Sequence, residues 1–467
     1  MLFYEPLFLF VFLPGVFALY LRLRHSPRAR LWILLVASVL FYLWGEPTFV
    51  PVVFASALLD YFLARRVARG ARRPLVLGLA ANVALLVYYK YLGFLAANLF
   101  TLLGLTGPGA PAVPHIALPI GVSFIVFEKI TYLVDIQRGL SRPAQRFGDY
   151  LTYVFFFPKL LAGPIIKYHE IEAQFRDPPP LDESLVLDGF ARFMLGMIKK
   201  VLVADIVGPA SDGIFAMPPD QLGFTTAWIG VLLFTLQIYL DFSAYSDMAI
   251  GLARMFGFRL NENFNRPYIS CSITEFWRRW HISLSTWIRE YLYIPLGGNR
   301  VPPWRRMANL WICFLASGLW HGAAWTYVLW GAYNGFFLVL DRLFLLRLLD
   351  RMPRAAANAA TLLVVILGWT IFRATSLQQL AQFAYAMTHP ALRGSRFLWD
   401  NALIGATAAG VVISLAPRIP RVDAAAAWLI VRRPGRLAIE TVGVVLFAVA
   451  LDKAITDPFR PFLYFRF

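Results

Sequence analysis

Two histidines stand where acid–base chemistry could use them. His321 lies in GLWHGAAW (318–325), inside an apolar run from Ala308 to Leu340. Counted from Met307 at about 1.5 Å of rise per residue, it sits about 20 Å along a helix, which is mid-bilayer if that helix enters a membrane. An ionisable side chain at such depth is costly and marks a site facing a cavity. A neutral imidazole in a passage of low dielectric takes a proton from a hydroxyl nucleophile, so general-base catalysis is the chemistry expected of His321. The competing reading is a histidine that hydrogen-bonds a neighbouring carbonyl and ties helices together. Gly318 and Gly322, which thin the backbone on either side, favour the site. His281 falls in SITEFWRRWHISLSTWIREYLYIPLGGNR (272–300), at the edge of a stripe of Phe276, Trp280, Leu284, Trp287, Ile288 and Tyr291 spaced as one helical face. Arg278, Arg279, Ser285 and Arg289 lie largely on the other side of that helix. It is expected at the membrane surface or at the cytoplasmic end of a bundle, its arginines near lipid phosphates. LGGNR (296–300) adds a glycine turn and Arg300, an anion grip.

The elements that must hold these residues are set by composition. With 59% hydrophobic residues, 16% aromatics and a mean hydropathy of +0.61, the chain of 467 residues has too much apolar surface for one soluble core. Runs such as Phe8–Tyr20, Leu31–Trp44, Leu75–Tyr89, Ile229–Leu240, Thr361–Phe372 and Val442–Leu451 lie in windows approaching the ~20 residues of a membrane-crossing helix. Hydrogen-bond economy excludes open sheet there, so the fold expected is all-α and polytopic. The first run lacks a basic leader and is expected to be a retained helix. The net charge of +17 does not indicate nucleic acid, because most of the 44 lysines and arginines sit in short segments between apolar runs, as cytoplasmic loops do. Cys271 and Cys313 have neither metal-ligand nor disulfide spacing, and no metal is expected.

With those loops as markers the chain threads from an outer N-terminus through Arg22–Arg30 inside, Glu46 outside and Arg65–Arg73 inside, and its C-terminal tail lands outside. FPKLLAGPIIKY (157–168) reads as a re-entrant or broken helix. The run 308–340 is too short for two full crossings yet is basic at both flanks, so it is expected to be a hairpin with His321 and Gly322 near its tip. The aromatic tail FLYFRF (462–467) either anchors at the interface or folds back toward His321 and offers it the Tyr464 hydroxyl.

The segments ENFNRPYISCSITEFWRRWHISLSTWIREYLYIPLGGNR, GLWHGAAWTYVLWG, LPIGVSFIVFEKITYLVDIQRG (118–139), FPKLLAGPI (157–165) and QIYLDFSAYSDMAIGLARMFGF (237–258) closely resemble the membrane-bound O-acyltransferase superfamily, in its bacterial alginate O-acetylation branch. The resemblance implies one membrane-embedded domain over 1–467, with the family core at about 1–345 and C-terminal spans and tail at 346–467. It implies a ring of helices around a thinned centre, crossed by a tunnel. It further implies acyl-coenzyme A, here acetyl-CoA, as cytoplasmic donor, an extracytoplasmic polysaccharide acceptor and a location in the bacterial inner membrane. His321 matches the histidine at the tunnel's narrow point and His281 the second family histidine. Asn334 stands where many relatives carry another histidine, and Glu128 with Lys129 stands where a glutamine is commoner; these two are expected to pair within the bundle.

The tail resembles an aromatic motif of some relatives, and on that likeness Tyr464 would accept the acyl group as an ester and pass it to a secreted or periplasmic acyltransferase. Arg278, Arg279 and Arg300 are candidates for the coenzyme A phosphates, because arginine forks match phosphate oxygens. The width of the tunnel is expected to be set near Trp320 and Trp325. Two other functions fit the spans: a transporter or flippase for a cell-envelope polymer, using Glu128, Asp241 and Asp247 within the membrane, or a scaffold without chemistry.

Overall fold

The computed structural model describes residues 1–105, 107, 110–418, 433–457 and 460–463, and among these the secondary structure is helical with no strand. Four helices are long and apolar enough to cross a membrane: Pro27–Gly45, Arg72–Leu102, Phe224–Met255 and Arg354–Arg373. Phe8–Arg22 and Asn401–Leu415 are shorter apolar helices. Large apolar side chains such as Trp32, Leu40, Phe62 and Leu363 point away from the protein, as a lipid solvent permits. The chain forms two compact units, one from 1–193 with 249–261, the other from 194–248 with 262–467.

In the first unit the helix Val122–Gln137 packs against Val50–Val67 and Arg72–Leu86. Two lysine–carboxylate pairs are sealed inside it. Lys129 lies 3.3 Å from Asp60, and Lys159 pairs with Glu128. Glu128 and Lys129, adjacent in sequence, thus point to different partners, because successive helical side chains diverge by about 100°. The segment 156–167 is buried and non-helical, in keeping with a broken helix. Its backbone finds side-chain partners: Phe157 N–H donates to Ser38 Oγ at 3.0 Å, and Tyr153 Oη donates to the Ile166 carbonyl at 2.8 Å.

In the second unit Phe234, Leu240, Trp280, Trp330, Trp369, Phe372 and Phe383 belong to one aromatic-rich core. The run 308–340 forms the expected hairpin, with helices Pro303–His321 and Trp325–Leu340 joined through an extended Gly322. Its two arms touch at backbone level. A Cβ on Gly318 would lie 2.2 Å from the Tyr327 carbonyl oxygen, and one on Gly331 2.4 Å from that of Phe314. Only glycine allows this approach, and it fixes the hairpin's geometry.

Candidate active site

The segment 272–300 departs from the single helix its periodicity predicts. It breaks into Ile273–Arg279 and Ile282–Ile288, with Trp280 extended and His281 in the left-handed region at φ 43°. The cause is distant in sequence. Residues 263–265 lie alongside the break, the Asn265 N–H donating to the Arg279 carbonyl and the Ile282 N–H to the Asn263 carbonyl, each at 2.9 Å. A non-glycine residue at positive φ is strained by roughly 1 kcal/mol or more, and such strain persists where the surroundings over-determine it. Here the break turns the His281 ring inward, where it is fully buried.

Asn263 also fixes the His281 tautomer. Its Oδ1 accepts from the Ser283 N–H at 3.2 Å and the Ser283 hydroxyl at 2.9 Å, and it lies 3.2 Å from His281 Nδ1. Asn263 Nδ2 donates to Ser246 Oγ at 3.2 Å, which orients the amide. An oxygen facing Nδ1 requires the proton on Nδ1, so the neutral ring carries its lone pair on Nε2.

His321 ends the first hairpin helix and is 6% exposed. Its ring meets Trp330 at 5.1 Å, Phe372 at 5.2 Å and Trp320 at 5.0 Å, all nearly edge-on, and the His281 ring at 6.5 Å. Beside it is a cavity of about 20 Å³ walled by Ile238, Phe242, Trp280, Trp330, Trp369, Phe372 and Leu463. That is room for about one water or an equally small group. Trp280, Trp330 and Trp369 are the indoles that bound this chamber. Trp325, expected with Trp320 to set the tunnel's width, opens the second hairpin helix with more than half its surface exposed.

A second cavity, of about 550 Å³, lies along the same hairpin helix. Cys313 and Ser317 line it, and Ser317 is one turn, about 6 Å of helix axis, before His321. Three arginines, Arg278, Arg289 and Arg342, share its wall with no carboxylate among the lining residues. Arg342 is oriented by Asn299 Oδ1 at 2.9 Å. Trp277, also in the wall, donates from Nε1 to Asn334 Oδ1 at 3.2 Å, so Asn334 serves here as a bracket for the indole. Volume, depth and charge suit an elongated anionic ligand with an apolar end.

Of the other candidate residues, Arg279 is held by Glu275 at 2.9 Å and by the Asn265 carbonyl at 3.1 Å. The Arg300 N–H closes a turn onto the Gly297 carbonyl at 2.9 Å, and Arg300 is not in the wall of either cavity. Tyr464 lies outside the described residues, but Leu463, which precedes it, lines the small cavity beside His321. The carboxylates Glu128, Asp241 and Asp247 each pair with a lysine, respectively Lys159, Lys200 and Lys199. None of the three lines either cavity of the second unit.

Asn263, Ser317, Arg289 and Arg342 are the residues that sequence reasoning did not select. Ser317 alone carried a local signal, one helical turn before His321 on the same face. Arg342 had been counted with the loop charges.

Known proteins give this arrangement a context. Residues 144–381 match the model of the membrane-bound O-acyltransferase family. The whole chain aligns with a probable alginate O-acetylase of Azotobacter vinelandii, 37% identical over 505 aligned positions covering 100% of both chains. A peptidoglycan O-acetyltransferase of Helicobacter pylori is 36% identical over 81% of this chain and 78% of its own length. A teichoic acid D-alanyltransferase of Streptococcus thermophilus is 28% identical over 48% of this chain and 56% of its own. With a full-length relative above a third identical and a family match spanning both histidines, this chain is an enzyme of the membrane-bound O-acyltransferase family, a membrane-embedded O-acyltransferase.

Proposed function

We propose that the protein transfers an acetyl group from cytoplasmic acetyl-coenzyme A, through its second unit, toward O-acetylation of a polysaccharide outside the bacterial inner membrane, with Tyr464 as relay to a secreted acyltransferase. One observation carries this reading: Ser317, one turn before His321, lines the large arginine-walled cavity, and the chain's own Leu463 lines the small cavity that His321 also lines. The passage through a thinned ring of helices, with both chain termini on the outer face, is part of the proposal.

In this reading Arg278, Arg289 and Arg342 hold the donor's phosphates, and the pantetheine arm runs along Cys313 and Ser317 toward His321. Arg279 and Arg300, which do not line the arginine-walled cavity, are the further candidates for the phosphates. His281, whose ring lies 6.5 Å from that of His321, is assigned to orienting the thioester or the pantetheine arm. His321 takes the proton from the attacking hydroxyl as its oxygen bonds to the thioester carbonyl carbon. The carbon–sulfur bond then breaks and the imidazolium returns the proton to the departing thiolate, giving an oxygen ester and free thiol. The small aromatic chamber disfavours long acyl chains and keeps bulk water from the ester. The names of the alginate and peptidoglycan relatives support a carbohydrate hydroxyl as final acceptor.

The test is incubation of the membrane-reconstituted protein with acetyl-coenzyme A radiolabelled in the acetyl group, followed by mapping of the label. Label on Tyr464, absent from Tyr464→Phe together with polymer acetylation, upholds the relay. Polymer still labelled by Tyr464→Phe removes the relay and leaves direct transfer.

A further inference from the structure

Three charged side chains in the second unit take no part in the chemistry above. Lys200 begins a π-helical turn, Lys200–Ala204, and its Nζ lies 2.8 Å from both Asp205 Oδ1 and Asp241 Oδ1. Lys200 and Asp241 are almost wholly buried. One ammonium between two carboxylates, one of them almost wholly buried and the other, Asp205, half-buried, leaves a surplus negative charge, and such a surplus calls for further donors. The segment 460–463 brings them. Arg460 Nη1 donates to the Asp205 carbonyl at 2.7 Å, and the Leu463 N–H donates to Asp241 Oδ2 at 2.6 Å. Between these contacts the Phe462 ring lies under Lys200 Nζ at 4.4 Å from its centroid and meets Tyr245 edge-on at 4.8 Å. Segment 460–463 is therefore held by a charge-assisted hydrogen bond, a cation–π contact and an aromatic edge, and it ends with Leu463 in the wall of the His321 cavity.

We propose that Lys200, Asp205 and Asp241 form a seat for the chain's own C-terminal segment, and that this seat positions the acyl-accepting residue at His321. The proposal rests on the relay through Tyr464 for its catalytic consequence, though not for the seat itself. Asp241 is a positioning residue: it touches neither donor nor acceptor and acts through the Leu463 backbone. A positioning role predicts that the rate of acyl acceptance depends on Asp241 while donor binding does not.

Hydrogen–deuterium exchange on the full-length protein, read beside label transfer, tests this. In Asp241→Ala, Lys200 keeps Asp205 as partner, so the unit stays folded. The amides of Phe462 and Leu463 should then exchange about tenfold faster or more, while those of Ile273–Ile288 keep their protection. Acylation of Tyr464 should fall about tenfold with the donor KM unchanged, and Asp241→Asn, which retains a carbonyl acceptor for the Leu463 N–H, should recover part of both losses. Phe462→Ala should loosen the segment in the same way with all three charged groups in place. Unchanged exchange in both Asp241→Ala and Phe462→Ala overturns the seat. Faster exchange with undiminished Tyr464 labelling overturns its positioning role. Wild-type protein that never carries label on Tyr464 would end the relay, and the seat would then be upheld or overturned by the exchange result alone.

Discussion

The two units each contain a large cavity, about 530 Å³ in the first and 550 Å³ in the second. Both are rich in arginine. The cavity of the first unit mixes Arg28, Arg142, Arg146 and Arg176 with Asp149, Glu172 and Asp177, and Arg176 pairs with Glu172. The other has three arginines and no acid among its lining residues, although Arg289 also pairs with the adjacent Glu290 at 2.9 Å, and its wall includes Ser317, one turn from His321. Size and basic charge therefore do not locate a donor site. What sets the second cavity apart is an excess of arginine over acid in its wall together with a helix leading from it to His321, and the proposed donor site rests on both. Buried lysines differ in what they support: besides its carboxylate partner, Lys159 in the first unit lies over Tyr153 of the same unit's buried core, whereas Lys200 in the second supports Phe462 of the C-terminal segment.

The sharpest test of this contrast is His321→Ala, which should lower acyl transfer by about 10²–10⁴-fold, the usual worth of a general base, with the protein still folded in the membrane. His25→Ala, at the first unit's cavity, should transfer label at the wild-type rate; equal losses in both variants would erase the distinction. Next in size is Lys159→Met, which strands the Glu128 carboxylate and should cost about 3–5 kcal/mol in thermal unfolding, with most of it restored by adding Glu128→Gln. A donor KM altered in that double variant would show that the first unit does more than hold the fold. Arg342→Ala and Arg289→Ala should each raise the donor KM about tenfold, the value of one hydrogen bond to a charged group. Arg142→Ala, across in the other cavity, is the control, and a matching rise there would make the two cavities equivalent.

The smallest effect concerns His169 in the helix Tyr168–Arg176. Its hydrogen bond to Asp135, 2.9 Å from Nδ1, raises its pKa above the ordinary 6.5 despite partial burial. A raised folded-state value means that the stabilisation is complete below pH 6.5 and is lost as pH climbs through the folded value. The thermal midpoint should therefore drop slightly over that interval in wild type. His169→Gln should show no such drop, and a drop of equal size in the variant would assign the effect to another group.

Local pattern announced some of these features and was silent on others. The hairpin at 308–340 follows from run length and flanking charge, both local quantities. The break at His281 could not be read, because the apolar stripe keeps helical period straight through it and the hydrogen bonds that break the helix come from residues 263–265. Arg342 and Arg289 look in sequence like any other loop or surface arginine; only the folded chain shows that they face a cavity. Asp241 read as a lone acid in an apolar helix, and its partners lie about 40 residues before it and more than 200 after it. Glu128 and Lys129 were visible as a pair, but helical geometry sent them apart.

The chamber beside His321 carries one further implication. A protein with cavities reaching into a membrane risks letting protons and metal ions run down the electrical gradient that the cell maintains. Beside His321, three indoles, two phenylalanines, Ile238 and Leu463 enclose space for about one water, so an ion would have to shed its hydration shell to enter. Under the proposed transfer a small group handed over by covalent bonds needs no such opening, and the same chamber would serve as an electrical seal.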